Sequence, residues 1–195
     1  MAMELSRIEF FAMNTALRRL GQRRFELPIF CRMGLDVHNR DVLEIGCGSG
    51  YGAFLLGRQK PRSYVGLDVM PEQIELARRD YPQYDFRVQD ATNLSDFDSG
   101  SRDVVVIFGV LHHIPAWRQA LDEIVRVLRP DGHFFIEEPR GVELRMFDFI
   151  FRWGHPETDF GLKTFERYCV QRGLNLIQKQ WTPLLSMYHW QKGWN

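Results

Sequence analysis

Residues 42–50 read VLEIGCGSG, a short apolar strand that breaks into alternating glycines, and Tyr51 follows at the head of an amphipathic run. Glycine permits φ > 0 and lets a ligand approach the main chain, while the N–H groups that open a helix favour negative charge. The stretch predicts a strand, a tight turn and a helix start, with a nucleotide-like ligand at the turn. Glycine patterns also occur in ordinary strand-to-helix turns, so the reading depends on what lies downstream.

Downstream, residues 63–69 (SYVGLDV) form a second apolar strand that ends in Asp68. Pro71 suits the first turn of a helix, with Ile74, Ala77 and Tyr81 on one face. A short strand over residues 84–89 runs into Asp90, and residues 104–108 are a solid apolar run suited to burial on both faces. Trp117, Leu121, Ile124 and Leu128 mark a helix that stops before Pro130 and Gly132, and residues 133–137 make a fifth strand. Strands alternating with helices imply a doubly wound, mostly parallel α/β sheet. Ligands bind such sheets beyond the carboxyl ends of the strands, where Asp68, Asp90, His112, His113, Glu137 and Glu138 fall.

Upstream, residues 3–20 place Phe10, Met13, Leu17 and Leu20 at helical spacing, and a second apolar piece follows Pro28 and ends near Gly34. Arg18, Arg19, Arg23 and Arg24 are either a phosphate or lipid patch or a solvated helix face. In the tail, residues 142–153 are apolar nearly all round, residues 162–172 read as a helix closed by Gly173, and two strands join at Thr182-Pro183. That junction is too short for a parallel crossover, so the strands are an antiparallel pair. The expected whole is a sheet of about seven strands with one antiparallel edge strand and helices on both faces.

The 195 residues, 45% hydrophobic, fit one domain: a helical extension over 1–40, a core over 41–139 and a tail over 140–195. Lys plus Arg equals Asp plus Glu at 25 each, which gives no whole-chain attraction to DNA or lipid. No run approaches the roughly 18 apolar residues of a membrane span, and the opening residues do not read as a secretory leader. Cys31, Cys47 and Cys169 lack metal-ligand spacing and read as reduced thiols in a cytoplasmic protein, with no metal site.

The order of these segments resembles the class I S-adenosylmethionine-dependent methyltransferases, in their small methyltransferase-domain branch. VLEIGCGSG is similar to the family's first motif, YVGLDVM to its acidic second strand and VQDATNL to its adenine-binding turn. DVVVIFGVLHHI and VLRPDGHFFIEEP are similar to its fourth and fifth strands. The resemblance implies a Rossmann-like fold and S-adenosyl-L-methionine as cofactor, leaving as S-adenosyl-L-homocysteine. It implies cofactor contacts at Glu44, Gly46, Cys47, Gly48, Asp68, Val69, Asp90, Ala91 and Phe108. An ionised carboxylate such as Asp68 can accept from both ribose hydroxyls, and Asp90 can accept from the adenine amino group.

Two other classes stay open on the residues alone. A nicotinamide dinucleotide is compatible with Gly48, Gly50 and Ala53, though the register starting at Gly46 meets Tyr51 in its third place. A catalytically silent methyltransferase fold acting as a binding partner is the second. The chemistry expected is in-line displacement at a methyl group, in which alignment is worth roughly 7–11 kcal/mol. His113 and His112 are the candidate bases if the acceptor must lose a proton, with packing as their alternative role. The expected acceptor is a small, apolar molecule, with RNA or protein methylation as the alternative, and a homodimer is open. Trp153, His155, Tyr188 and His189 are either pocket walls or core. The N-terminal extension is expected to fold over the cofactor mouth against residues 142–153.

Overall fold

The computed structural model describes residues 15–140 and 160–194. The start of the first expected helix and the apolar helix over 142–153, with Trp153 and His155, lie outside them. The described chain opens with one helical run: α1 (Ala16–Gly21), a π-helical turn (Gln22–Glu26) and α2 (Leu27–Arg32). Thr15 caps it, its hydroxyl accepting the Arg18 N–H at 3.2 Å. The piece expected as separate after Pro28 continues this run. Proline has no N–H to give the preceding turn, and the ladder accommodates it by a π bond in which the Leu27 N–H reaches Gln22 O.

The remaining elements are β1 (Asp41–Ile45), α3 (Tyr51–Gly57), β2 (Ser63–Asp68), α4 (Pro71–Asp80), β3 (Asp85–Val88), β4 (Arg102–Phe108), a 3-10 turn (Leu111–His113), α5 (Trp117–Val127), β5 (Leu128–Pro139), α6 (Leu162–Gln171), β6 (Leu174–Trp181) and β7 (Leu185–Lys192). They form one seven-stranded sheet in the order β3-β2-β1-β4-β5-β7-β6. Strands β1 to β5 are parallel, and β7 runs antiparallel to β5 and β6. The antiparallel strand is thus β7, seated one place inside the edge. Its central residues Met187, Tyr188, His189 and Trp190 are buried, whereas β6 is mostly exposed, as suits an edge. β5 begins earlier than expected, because Pro130 and Gly132 lie in an irregular stretch where its register against β4 shifts.

Alternate residues of the inner strands feed opposite faces. On one face Leu43, Val105, Ile107 and Phe134 pack with Trp117, Leu121 and Ile124 of α5 and Phe165 of α6. On the other, Val42, Val104, Val106 and Phe135 pack with Ile29, Phe30 and Met33 of the N-terminal run. Phe30 is fully buried, its ring centroid 5.6 Å from Phe108 and 5.7 Å from Phe135. At the amino ends of the strands an ion-pair network holds the sheet. Arg62 and Arg129 both bind Asp41 and Asp103, and the Asp41 N–H donates to Asp103 at 2.8 Å. Its hydrogen bonds from Arg62 hold the Asp41 carboxyl far below the usual carboxylate range.

Candidate active site

The carboxyl ends of β1, β4 and β5 converge under α1. The turn after β1 places Gly46 at φ 70 and Gly48 at φ 51, both left-handed. A Cβ on Gly46 would lie 2.4 Å from Val110. The Gly46 and Cys47 amides both donate to Leu67 O, at 2.8 and 2.9 Å, and tie the turn to β2. Gly48 N–H donates to Asp68 Oδ2 and Met70 N–H to Asp68 Oδ1, each at 2.9 Å. A carboxylate offers about four acceptor sites, so Asp68 keeps acceptor capacity for a ligand. Burial raises the Asp68 pKa, and these backbone bonds oppose the rise.

Glu44 lies beneath the turn, fully enclosed, its Oε2 accepting from the Tyr64 hydroxyl at 2.5 Å. Burial pushes its pKa up to about 8, against the pull of Tyr64 and Arg18. The carboxyl fills the space over Gly52, where a Cβ would sit 2.2 Å from Glu44 Oε1. Glycine costs a helix about 1 kcal/mol relative to alanine, and here the Glu44 carboxyl takes the place of the methyl.

Gly46, Cys47, Gly48, Ser49, Tyr51, Gly52, Gln73 and Phe108 line one cavity, roofed by Arg18, Arg19 and Gln22 of the N-terminal run. Its volume is about 30 Å³, room for a single water. The Cys47 side chain is buried, with Sγ against Gly66, so it meets the cavity through its backbone. Val69 is partly exposed beyond Asp68. Asp90 stands at the end of β3, outside the cavity lining, its Oδ1 accepting the Thr92 N–H and hydroxyl at 2.8 Å. Ala91 beside it is buried.

A roof from the N-terminal extension was expected, but the ionic cluster that fastens it was not. Arg18 pairs with Glu26, and its Nη2 donates to Glu137 Oε1 at 3.3 Å and to Phe108 O at 3.5 Å. Burial and the adjacent Glu26 push Glu137 well above the usual carboxylate range, while Arg18 pulls the other way. Glu26 Oε2 and Glu137 Oε2 are buried without hydrogen-bond partners, as is Arg19 Nε, whose guanidinium lies 5.5 Å from the centre of the Tyr51 ring. The sequence carried one clue: Glu26 is the only acid in the run from 16 to 32.

The other face of the β4–β5 ends carries the histidines. Gly109, at φ 66, turns the chain after β4 so that the 3-10 turn crosses to β5. His112 Nδ1 lies 2.6 Å from Glu138 Oε2, and Glu138 Oε1 accepts the Leu111 N–H at 2.9 Å. Both side chains are buried. With Nδ1–H held by the carboxylate, the basic lone pair is on Nε2. The His113 ring lies 3.9 Å away, and it is His112 that the carboxylate holds. Tyr188 and His189 belong to the core instead. Tyr188 donates to Glu166 at 2.9 Å, and His189 stacks on Phe135 with centroids 4.2 Å apart.

Residues 43–136 match the family described as a methyltransferase domain. That stretch is a methyltransferase domain of the class I S-adenosylmethionine-dependent type. The chain is 44% identical over 103 residues to a phthiotriol/phenolphthiotriol dimycocerosates methyltransferase of Mycobacterium tuberculosis, covering 51% of this chain and 38% of the relative. A Mycolicibacterium smegmatis protein named a probable S-adenosylmethionine-dependent methyltransferase is 38% identical over 120 residues, covering 62% and 46%. The chain thus spans less than half the length of these curated relatives. Among solved structures, the Haloferax volcanii complex of the Trm112 methyltransferase activator with a methyltransferase superposes with TM-score 0.78 at 21% identity, covering 97% of this chain and 98% of the matched one. The methyltransferase family replaces the dinucleotide reading, and S-adenosylmethionine is its cofactor. Among the described residues no helix is long and apolar enough to cross a membrane, and no His/Cys/Asp/Glu group could hold a metal.

Proposed function

We propose that the domain transfers a methyl group from S-adenosylmethionine to a hydroxyl of a small, apolar acceptor. The observation that carries this reading is the pairing of two built groups at neighbouring strand ends, the roofed glycine turn and the His112–Glu138 dyad. The residues fit the cofactor. The glycine turn leaves no room for a Cβ at Gly46, Asp68 retains acceptor capacity for a ribose diol, and Arg19 offers a buried, unpartnered Nε for a carboxylate. Asp90 and the Ala91 amide serve the adenine edge, with Val69 and Phe108 as flanking walls.

When bound, the cofactor supplies a methyl group on a sulfonium, an electrophile that needs no further activation. The protein aligns the acceptor and excludes water. With the methyl group supplied by the cofactor, His112 Nε2 would accept the proton of the acceptor hydroxyl as that oxygen is methylated and the neutral thioether leaves. Glu138 holds the Nδ1–H and stabilises the imidazolium that results. Glu44 orients the turn through Tyr64 and Gly52. The roof over so small a cavity has to move for a cofactor to enter, which makes α1 a lid hinged on the Phe30 core. The Mycobacterium tuberculosis relative is named for dimycocerosates, which supports an apolar acceptor. Cys31, Cys47 and Cys169 are free thiols, which supports a cytoplasmic location.

Calorimetric titration tests the cofactor assignment. Arg19→Gln is expected to weaken S-adenosylhomocysteine by about tenfold or more, the loss of a charge-assisted bond. Its affinity for methylthioadenosine, which lacks the carboxylate, should be unchanged. Equal losses for both ligands would remove Arg19 from that role, and absence of binding by the unaltered protein would overturn the cofactor site.

A further inference from the structure

The outward side of the N-terminal run carries apolar side chains where a surface helix is ordinarily polar. Leu17 is 77% exposed, Leu20 51% and Phe25 65%. Arg23 and Arg24 beside them are exposed as well. The π-helical turn explains this placement. In an unbroken α-helix Phe25 would stand about 80° round from Leu17, and Glu26 equally far from Arg18. A π turn takes up about one extra residue, which brings both pairs to within about 20°. One local irregularity therefore sets two faces: Arg18 with Glu26 inward at the site, Leu17 with Phe25 outward.

Charge on this outer face has one sign. Glu26, the only acid from residue 16 to 32, is buried against Arg18, whereas Arg23, Arg24 and Arg32 are exposed. Arg58, also exposed, shares a surface groove with Arg23. The whole chain has zero formal charge, so the patch is local. Apolar side chains ringed by guanidinium groups match an anionic lipid surface, with phosphates for the arginines and acyl chains for Leu17 and Phe25. Nucleic acid would engage the arginines and leave the apolar residues without a role. A second copy of the chain across a two-fold axis would set arginines against arginines.

We propose that this face docks on an anionic bilayer and holds the roof of the active site at the surface from which an apolar acceptor is drawn. The purpose rests on the acceptor reading above, but the test does not use the acceptor, so either can fail alone.

Flotation with vesicles of mixed phosphatidylglycerol and phosphatidylcholine, against phosphatidylcholine alone, tests it. The protein is expected to partition about tenfold or more in favour of the anionic vesicles, with the preference falling as salt is raised. Leu17→Ser with Phe25→Ser should abolish partition while leaving S-adenosylhomocysteine binding and thermal stability unchanged, since both side chains are exposed. Arg23→Gln with Arg24→Gln should remove most of the salt dependence. Absence of partition, or partition indifferent to the Leu17 and Phe25 changes, would overturn the proposal. So would a dimer that the same double variant dissociates, or an RNA affinity that matches or exceeds the vesicle affinity.

Discussion

A histidine whose Nδ1–H is held by a buried carboxylate carries its basic lone pair on Nε2, and at this site that residue is His112. His112→Ala is expected to lower methyl transfer into an apolar cell extract by about 10²- to 10⁴-fold, the usual worth of a general base. The S-adenosylhomocysteine affinity should change little. Glu138→Gln should retain the packing yet lower kcat by about tenfold or more with little change in S-adenosylhomocysteine affinity, because the imidazolium loses its counter-charge. An unchanged kcat would return Glu138 to packing alone. At this scale the sequence was legible in part. Two adjacent histidines after an apolar strand marked the place, but the choice between them depends on Glu138, which only the pairing of β4 with β5 brings near. Asp68 was legible because its strand ends on it. Arg19 was not, because nothing in helical spacing says which arginine of four faces a cavity.

Among the elements, the strands and the helices between them were readable because solid apolar runs have no other stable home than a covered parallel sheet. The N-terminal run was not, because its register depends on a π bond forced by Pro28, and periodicity of 3.6 has no place for an inserted residue. Pro28→Ala, which gives the turn back its missing N–H, should restore an unbroken α ladder and swing Arg18 about 100° relative to Glu26. The expected result is a loss of S-adenosylhomocysteine affinity of about tenfold or more, with the loss of charge-assisted roof contacts, while the Phe30 core keeps the domain folded. Unchanged affinity in calorimetry would show that the roof does not need this register.

For the molecule as a whole, stability on the acid side should report one contact far from the site. His189 Nδ1 lies 2.8 Å from Met33 O, and His133 Nδ1 lies 2.9 Å from His189 Nε2, joining α2 to the sheet. Burial pushes the His189 pKa down to about 4 from the ordinary 6.5. Above pH 6.5 both folded and unfolded states hold it neutral, and the contribution is complete. Between 6.5 and 4 the unfolded chain takes up the proton first, so stability falls with pH by up to about 3 kcal/mol and levels off below 4. Denaturant titration should show this fall relative to His189→Gln, and parallel curves for the two proteins would refute it. The overall sheet was legible, down to the antiparallel tail. The place of β7 inside the edge was less so, because it depends on which member of a hairpin is apolar on both faces. The three cysteines have a practical consequence. Cys47 and Cys169 are buried while Cys31 is exposed on α2. A maleimide dye should therefore attach at one point on the unaltered chain, beside the arginine-rich face, giving an optical reporter of what that face touches without an engineered background.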